Sequence, residues 1–308
     1  LRRMRGVVMM RAEEKVMVDG THPTRAGMNT ATHTPDAPLA VTAADAPRAQ
    51  VADANAPDLP AAIPAATLVV FREHAGHAPE LLMVERAQKM AFAAGAMVFP
   101  GGRIDPGDHE LAETLAPVDA DDAAARIAAI RETIEEAGLP VGLAEMPSPE
   151  VIAQMRRALH ARQPFEAALR AAGARLDLDA LVPFARWRPA HRHMRIFDTR
   201  FYLAHLPADA PCASVDRTEN VRLTWASAQA VLDEADAGRM SIIFPTRRNL
   251  ERLAQFPSFE ATVADARVTP QRVVTPWAET RDGEEWLCIP QDLGYPVTAE
   301  PINTALRG

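Results

Sequence analysis

The stretch RETIEEAG, residues 131–138, sets three glutamates and an arginine within six consecutive positions. On a helix, residues three and four apart share a face, so Glu132, Glu135 and Glu136 project together, with Arg131 one turn from Glu135. The like-charged 132/136 pair costs about 0.2–0.5 kcal/mol, and Arg131 against Glu135 offsets roughly as much. A solvated charged face is the ordinary explanation of such a run, so the surroundings decide. Upstream, Asp119 or Asp121 can cap a helix in which Ile127, Ile130 and Ile134 form one apolar stripe, and Gly138 with Pro140 stops it. The acids therefore stand near the C-terminal end of a helix, where cations are favoured. That placement argues against mere solvation.

Just before this helix, GAMVFPGGRIDPGD (95–108) reads as a short strand running into a glycine-rich loop. Further upstream, AATLVVFRE (65–73) and ELLMVERA (80–87) are β-rich runs separated by a Gly/His/Pro turn, the pattern of a hairpin. Downstream, residues 148–182 carry a helical Ala/Leu/Arg pattern, 196–207 and 220–227 read as strands, and helices follow over about 227–237 and 246–255. Strand-like pieces at 271–276 and 284–290 flank the turn RDGE. Residues 18–64 mix Ala, Pro, Thr and Asp without period, too little apolar surface to offset ordering entropy, and are expected to be disordered. The chain opens with Leu1 rather than methionine and Met28 stands just before the Pro/Ala tract, which leaves open whether residues 1–27 are translated.

Composition narrows the function. The 308 residues are 48% hydrophobic but only 5% aromatic, so Ala, Leu, Val and Ile must build the core. A net charge of −8 repels a nucleic-acid backbone, which excludes nucleic acid as a partner. Cys212 and Cys288 lie far apart without zinc or redox spacing and fit a reduced cytoplasm. No apolar run approaches the roughly 18–20 residues of a membrane span. The expectation is a cytoplasmic protein without a membrane partner.

Acids converging on one face beside a glycine-rich turn suit a hard divalent cation, held by a few carboxylates and by substrate phosphates. Such an ion would neutralise the repulsion among the glutamates. A spare carboxylate could then take a proton from an attacking water.

These residues resemble the Nudix hydrolase superfamily, whose box runs G-x5-E-x7-R-E-U-x-E-E-x-G-U with U a bulky aliphatic. Arg131, Glu132, Ile134, Glu135, Glu136, Gly138 and Leu139 match its second half, and Gly102 its opening glycine. Asp108 stands where the pattern has its first glutamate, and 22 residues rather than seven separate it from Arg131. Lengthening a surface loop costs only slowly with length. The motif-19-like branch, the peroxisomal coenzyme A diphosphatase type, has an insertion at this place, and FPGG (99–102), RIFDTRFYLA (195–204) and FPT (244–246) are similar to it as well.

The resemblance implies an α/β fold, an α/β/α sandwich around a mixed sheet, with a helical insertion at about 148–182 and a disordered N-terminal segment. It divides the chain into an N-terminal extension (1–63), a Nudix domain (64–255) and a C-terminal extension packed on it (256–308). Carried over, Glu132, Glu135 and Glu136 become metal-binding and water-activating acids for Mg²⁺ or Mn²⁺, with Arg131 holding Glu135. Main chain at Gly101 and Gly102 would help place metal or phosphate. Asp108 takes the first acid's position, with Glu110 and Glu113 as substitutes, and Glu219 is a candidate distal carboxylate. Arg86 lies in LMVERAQKMAFAAGAMVFPGG (82–102), which keeps part of a coenzyme A signature. Arg195, and the basic cluster 186–195 around it, are candidates for substrate phosphates. The implied activity is hydrolysis of a nucleoside diphosphate conjugate, coenzyme A or acyl-CoA first, with ADP-ribose, a dinucleotide or a nucleotide sugar as alternatives. A Nudix module that binds a nucleotide as a sensor, without turnover, is the alternative from another class.

Overall fold

A computed structural model describes residues 61–89, 93–189, 195–216 and 219–305. The expected disorder over 1–63 falls almost wholly on 1–60, outside the described residues, and so does the middle of the basic cluster, 190–194. Order begins with β1 (Ile63–Arg72), whose nearly continuous apolar run is buried on both faces, as an interior strand requires. Its side chains alternate. Ala66, Leu68 and Val70 enter one apolar layer, Val69 and Phe71 the other.

Around β1 the described residues form a mixed eight-stranded sheet. One edge of β1 pairs in parallel with β6 (Phe197–His205) along its length. Its other edge is shared: β4 (Gly101–Arg103) pairs with Ala65–Thr67, and β2 (Glu80–Arg86) only with Phe71 and Arg72. The expected hairpin is therefore joined only at its turn, because β2 spends its length against β7 (Asn220–Ser227) and touches β3 (Met97–Val98). Beyond β6 come β5 (Val182–Trp187) and β8 (Val273–Val274).

Helices cover both faces. On the Leu68/Val70 side lie α2 (Ala120–Ala137), α3 (Pro149–His160) and α4 (Phe165–Ala172); on the Phe71 side lie α5 (Ala228–Asp236), α6 (Phe244–Leu253) and α7 (Phe259–Val268). The expected helical stretch 148–182 is thus two helices with a turn at residues 161–164, and its end is irregular and then strand. Gly173 stops α4 in the left-handed conformation, φ 63°. Residues 256–305 contribute to the second layer: Trp187 Nε1 donates to Tyr295 Oη at 2.9 Å, and Phe259 packs edge-on against Phe71. The turn RDGE joins β9 (Trp277–Arg281) to β10 (Glu284–Cys288), with Asp282 and Gly283 at positive φ, as a two-residue hairpin loop needs.

The insertion inside the box folds. Its residues form α1 (Pro106–Leu115), a 3-10 turn (Pro117–Asp119) and the first turns of α2. Asp119 caps α2 through its side chain, and Ile127, Ile130 and Ile134 are fully buried, as their spacing predicts. Ile130→Ala should lower stability by about 2–5 kcal/mol in urea denaturation. Val118→Ala, at a side chain 99% exposed, should change it by under about 0.5 kcal/mol.

Candidate active site

The glycines of the FPGG loop let helix and sheet touch. Pro100 O accepts from Leu68 N–H at 3.0 Å, which lays Gly101 and Gly102 beside Ala66 and Thr67. A Cβ on Gly101 would stand 2.4 Å from Ala66 O, and one on Gly102 would stand 2.3 Å from Glu132 Oε1. At Gly101 the neighbour is backbone and only hydrogen fits; at Gly102 a side chain would displace the Glu132 carboxylate. The Gly101 N–H donates to Glu136 Oε2 at 3.0 Å, so the strand grips the helix's last acid directly.

Arg131 gathers the rest. Its Nε and Nη2 donate to the two oxygens of Asp108 at 3.1 and 2.9 Å, a bidentate fork, and Nη2 also reaches Arg103 O at 2.9 Å. Its Nη1 donates to Glu132 Oε1 at 2.8 Å and, less closely, to Glu135 Oε2 at 3.3 Å. Asp108 in turn accepts from Asp105 N–H at 2.9 Å and so closes the cap of α1. The loop, α1 and α2 meet at one guanidinium.

Burial dominates the electrostatics of the acids. Desolvation pushes Glu132 and Glu136 above the ordinary carboxylate range; Arg131 opposes this at Glu132, while repulsion from Glu132 adds to it at Glu136. Glu135, at the more open side, is also raised by burial, against the pull of Arg131, His160 and Arg162. The solvated-face explanation is therefore excluded. The misplacement at the helix end is relieved from outside: Arg156 of α3 donates to Glu135 O at 2.8 Å and Glu136 O at 2.9 Å, a cation on the last carbonyls of α2. The same guanidinium holds Ser214 Oγ and O, both at 2.7 Å.

Through Ser214 the β6–β7 connection is tied to the site. Asp216 Oδ2 and Oδ1 accept from the N–H groups of Glu219 and Asn220 at 2.8 and 3.0 Å. Glu219 stands within electrostatic reach of Glu132 and Glu135. Asn220 is fully buried and faces Glu136, and Arg86, its register partner on β2 beside a bulge, lies within electrostatic reach of the same carboxylate. Bulges commonly re-aim a side chain in this way.

No family model matches the chain. The structure of a NUDIX hydrolase from Alicyclobacillus acidocaldarius, however, is 30% identical, with a TM-score of 0.56, covering 66% of this chain and 96% of that one. The chain belongs to the Nudix hydrolases. A protein of Caenorhabditis elegans named nudix hydrolase 7 is 25% identical over 221 residues, 70% of this chain and 69% of its own. The acyl-coenzyme A diphosphatase NUDT19 of Gallus gallus is 28% identical over 235 residues, 58% of this chain and 62% of its own, so the match spans less than two thirds of that relative. The mixed sheet between helical layers is the Nudix fold, and the chain is an enzyme of that class with a likeness to the NUDT19 branch.

Within this Nudix site several sequence expectations change. Asp108 is the bidentate partner of Arg131, while Glu110 and Glu113 are exposed. Arg131 holds Asp108 and Glu132 more closely than Glu135. Arg195 is exposed two residues ahead of Phe197, which is level with Ile63, whereas the acids meet Gly101 and Gly102, level with Thr67 and Ala66. Arg186 of the basic cluster is engaged by Asp198 at 2.7 and 2.8 Å, and Trp187 is core. Arg156 and Asn220 were missed; neither falls in a motif, and only long-range folding brings them here. Asp108→Ala, which strands Arg131 without its main partner, should cost about 3–5 kcal/mol in urea denaturation, whereas replacing both by apolar residues of similar volume should cost less.

Proposed function

We propose that this Nudix enzyme is a Mg²⁺- or Mn²⁺-dependent diphosphatase that cleaves coenzyme A or an acyl-CoA to 3′,5′-ADP and (acyl-)phosphopantetheine. The observation that carries the reading is the pair of carboxylates, buried Glu136 and half-buried Glu132, set against Gly101 and Gly102. Among the described residues no group of three or more His, Cys, Asp or Glu side chains is gathered to hold a metal ion, so Glu132, Glu135 and Glu136 do not converge as one ligand set. An open set of hard oxygens fits an ion of this kind, which takes its remaining ligands from water and substrate phosphate. When bound, the cation would neutralise charge on the diphosphate and acidify water.

The protein's own residues do the rest. Arg131 fixes one oxygen of Glu132 and Gly101 N–H one oxygen of Glu136, which leaves the second oxygen of each for a ligand. In this reading Glu135 or Glu219, at the open side, would take the proton from the water that attacks phosphorus as the P–O bond to the leaving phosphate breaks. Arg86 adds positive charge beside Glu136, where a substrate phosphate would approach. The coenzyme A choice rests on the partial signature at 82–102 and on the likeness to the acyl-coenzyme A diphosphatase NUDT19; ADP-ribose, a dinucleotide or a nucleotide sugar is the alternative. An intact acid set weighs against a sensor without turnover.

Purified protein with Mg²⁺ and a panel of coenzyme A, acyl-CoA, ADP-ribose, NADH and nucleotide sugars should release 3′,5′-ADP from the first two. Glu136→Gln should cut that turnover by about 1,000-fold with the fold intact, a loss of several kcal/mol of charge stabilisation. Turnover of none, with tight binding of one, would establish the sensor instead. The raised acids also make stability depend on pH. Their unfolded counterparts lose protons first as pH rises, so the free protein should lose stability through the neutral range. Mn²⁺, which binds only the ionised acids, should therefore raise the thermal midpoint more at about pH 8.5 than at about pH 6.

A further inference from the structure

Asn220 is fully buried at the start of β7, and neither Nδ2 nor Oδ1 reaches full hydrogen-bond geometry with a described residue, Glu136 being the carboxylate that the amide approaches. A buried amide left unpaired is costly, and most such groups in native proteins are satisfied. Yet the backbone spends several contacts to keep this one in place. Asp216 accepts from its N–H at 3.0 Å, Asp216 and Ser214 belong to the connection that Arg156 clamps to the end of α2, and Arg86 pairs with it across the bulge. The amide is turned toward Glu136, whose Oε2 is already taken by Gly101 N–H. Nothing apolar is gained by an asparagine at such a position.

We propose that Asn220 is a positioning residue for the cation site: its Nδ2–H closes onto Glu136 when a divalent ion is bound, and so aims the second carboxylate oxygen at the ion. The proposal rests on the metal-dependent reading above. The buried amide lies beside this carboxylate, and a donor there fixes which way the carboxylate faces. Partners of this sort orient a ligand without touching the metal, and losing one commonly weakens metal binding tenfold to a hundredfold.

Mn²⁺ affinity without substrate, by calorimetry or by electron paramagnetic resonance of free Mn²⁺, tests the assignment in the wild type, Asn220→Ala, Asn220→Asp, Asn220→Leu and Glu136→Gln. Asn220→Ala and Asn220→Leu should bind about 10- to 100-fold more weakly. Asn220→Asp, which keeps the shape but replaces the donor by an acceptor, should bind at least as weakly as Asn220→Ala. The cation-free Asn220→Leu protein should unfold at a urea concentration equal to or above that of the wild type, since no hydrogen bond is lost. Asn220→Asp binding as tightly as wild type or more so would make the side-chain oxygen a direct ligand and overturn the donor role. Equal affinity in Asn220→Ala and wild type, or a lowered urea midpoint in Asn220→Leu, would overturn it in favour of a part in the fold alone. A wild type with no saturable Mn²⁺ site sensitive to Glu136→Gln would instead sink the metal-dependent reading, and this inference with it.

Discussion

The ion pair between Arg131 and Asp108 is the contact on which the site depends. Both groups are almost out of water, with side-chain exposures of 9% and 1%, so each loses hydration that a single Coulomb contact does not restore. The loss is made good by geometry. The guanidinium donates to a bidentate carboxylate, a main-chain carbonyl and two glutamates, and the carboxylate also accepts from the cap of α1. Three separate stretches of chain, β4, α1 and α2, are thereby fixed relative to one another. The orientation of Glu132 follows from that fixture rather than from its own rotamer preference.

A second constraint is the surplus of negative charge that remains. Three acids occupy the last turns of α2, and the positive groups around them do not balance them from the inner side. Arg131 serves Asp108 as well as the glutamates, Gly101 offers one N–H, and Arg156 addresses the carbonyls of Glu135 and Glu136 rather than their carboxylates. The result is a pair of carboxyl groups that hold protons far more tightly than free glutamates do, in a cleft edged by backbone. In a Nudix enzyme that residual charge is the feature a hard cation would answer.

Much of this was legible in the chain. The cap at Asp119, the apolar stripe of α2, its stop at Gly138 and the strands at 196–207 and 220–227 follow from local chemistry that the fold leaves unopposed. Residues 148–182 misled because Ala, Leu and Arg keep helical character past Gly173, whereas β5 is decided by pairing with β6, which no local pattern encodes. α1 was hidden for the opposite reason: its Pro-Gly-Asp start reads as loop, and its cap is completed only by Asp108, itself held by a residue far along the chain. Among site residues, those within the contiguous RETIEEAG run were readable. Arg156, Asn220 and the true role of Asp108 come from contacts across 20 residues or more or from another element.

The clasp of Arg156 on the end of α2 also makes the end of one helix depend on another element. The final turn of that helix carries like charges at the end where negative charge is least welcome, so without α3 it has every reason to fray. From α3 one guanidinium covers the helix's last carbonyls and ties in Ser214, so the segment bearing Glu219 and Asn220 is anchored at the same helix end. The acidic half of the site thus belongs to the assembled fold rather than to the helix that carries it.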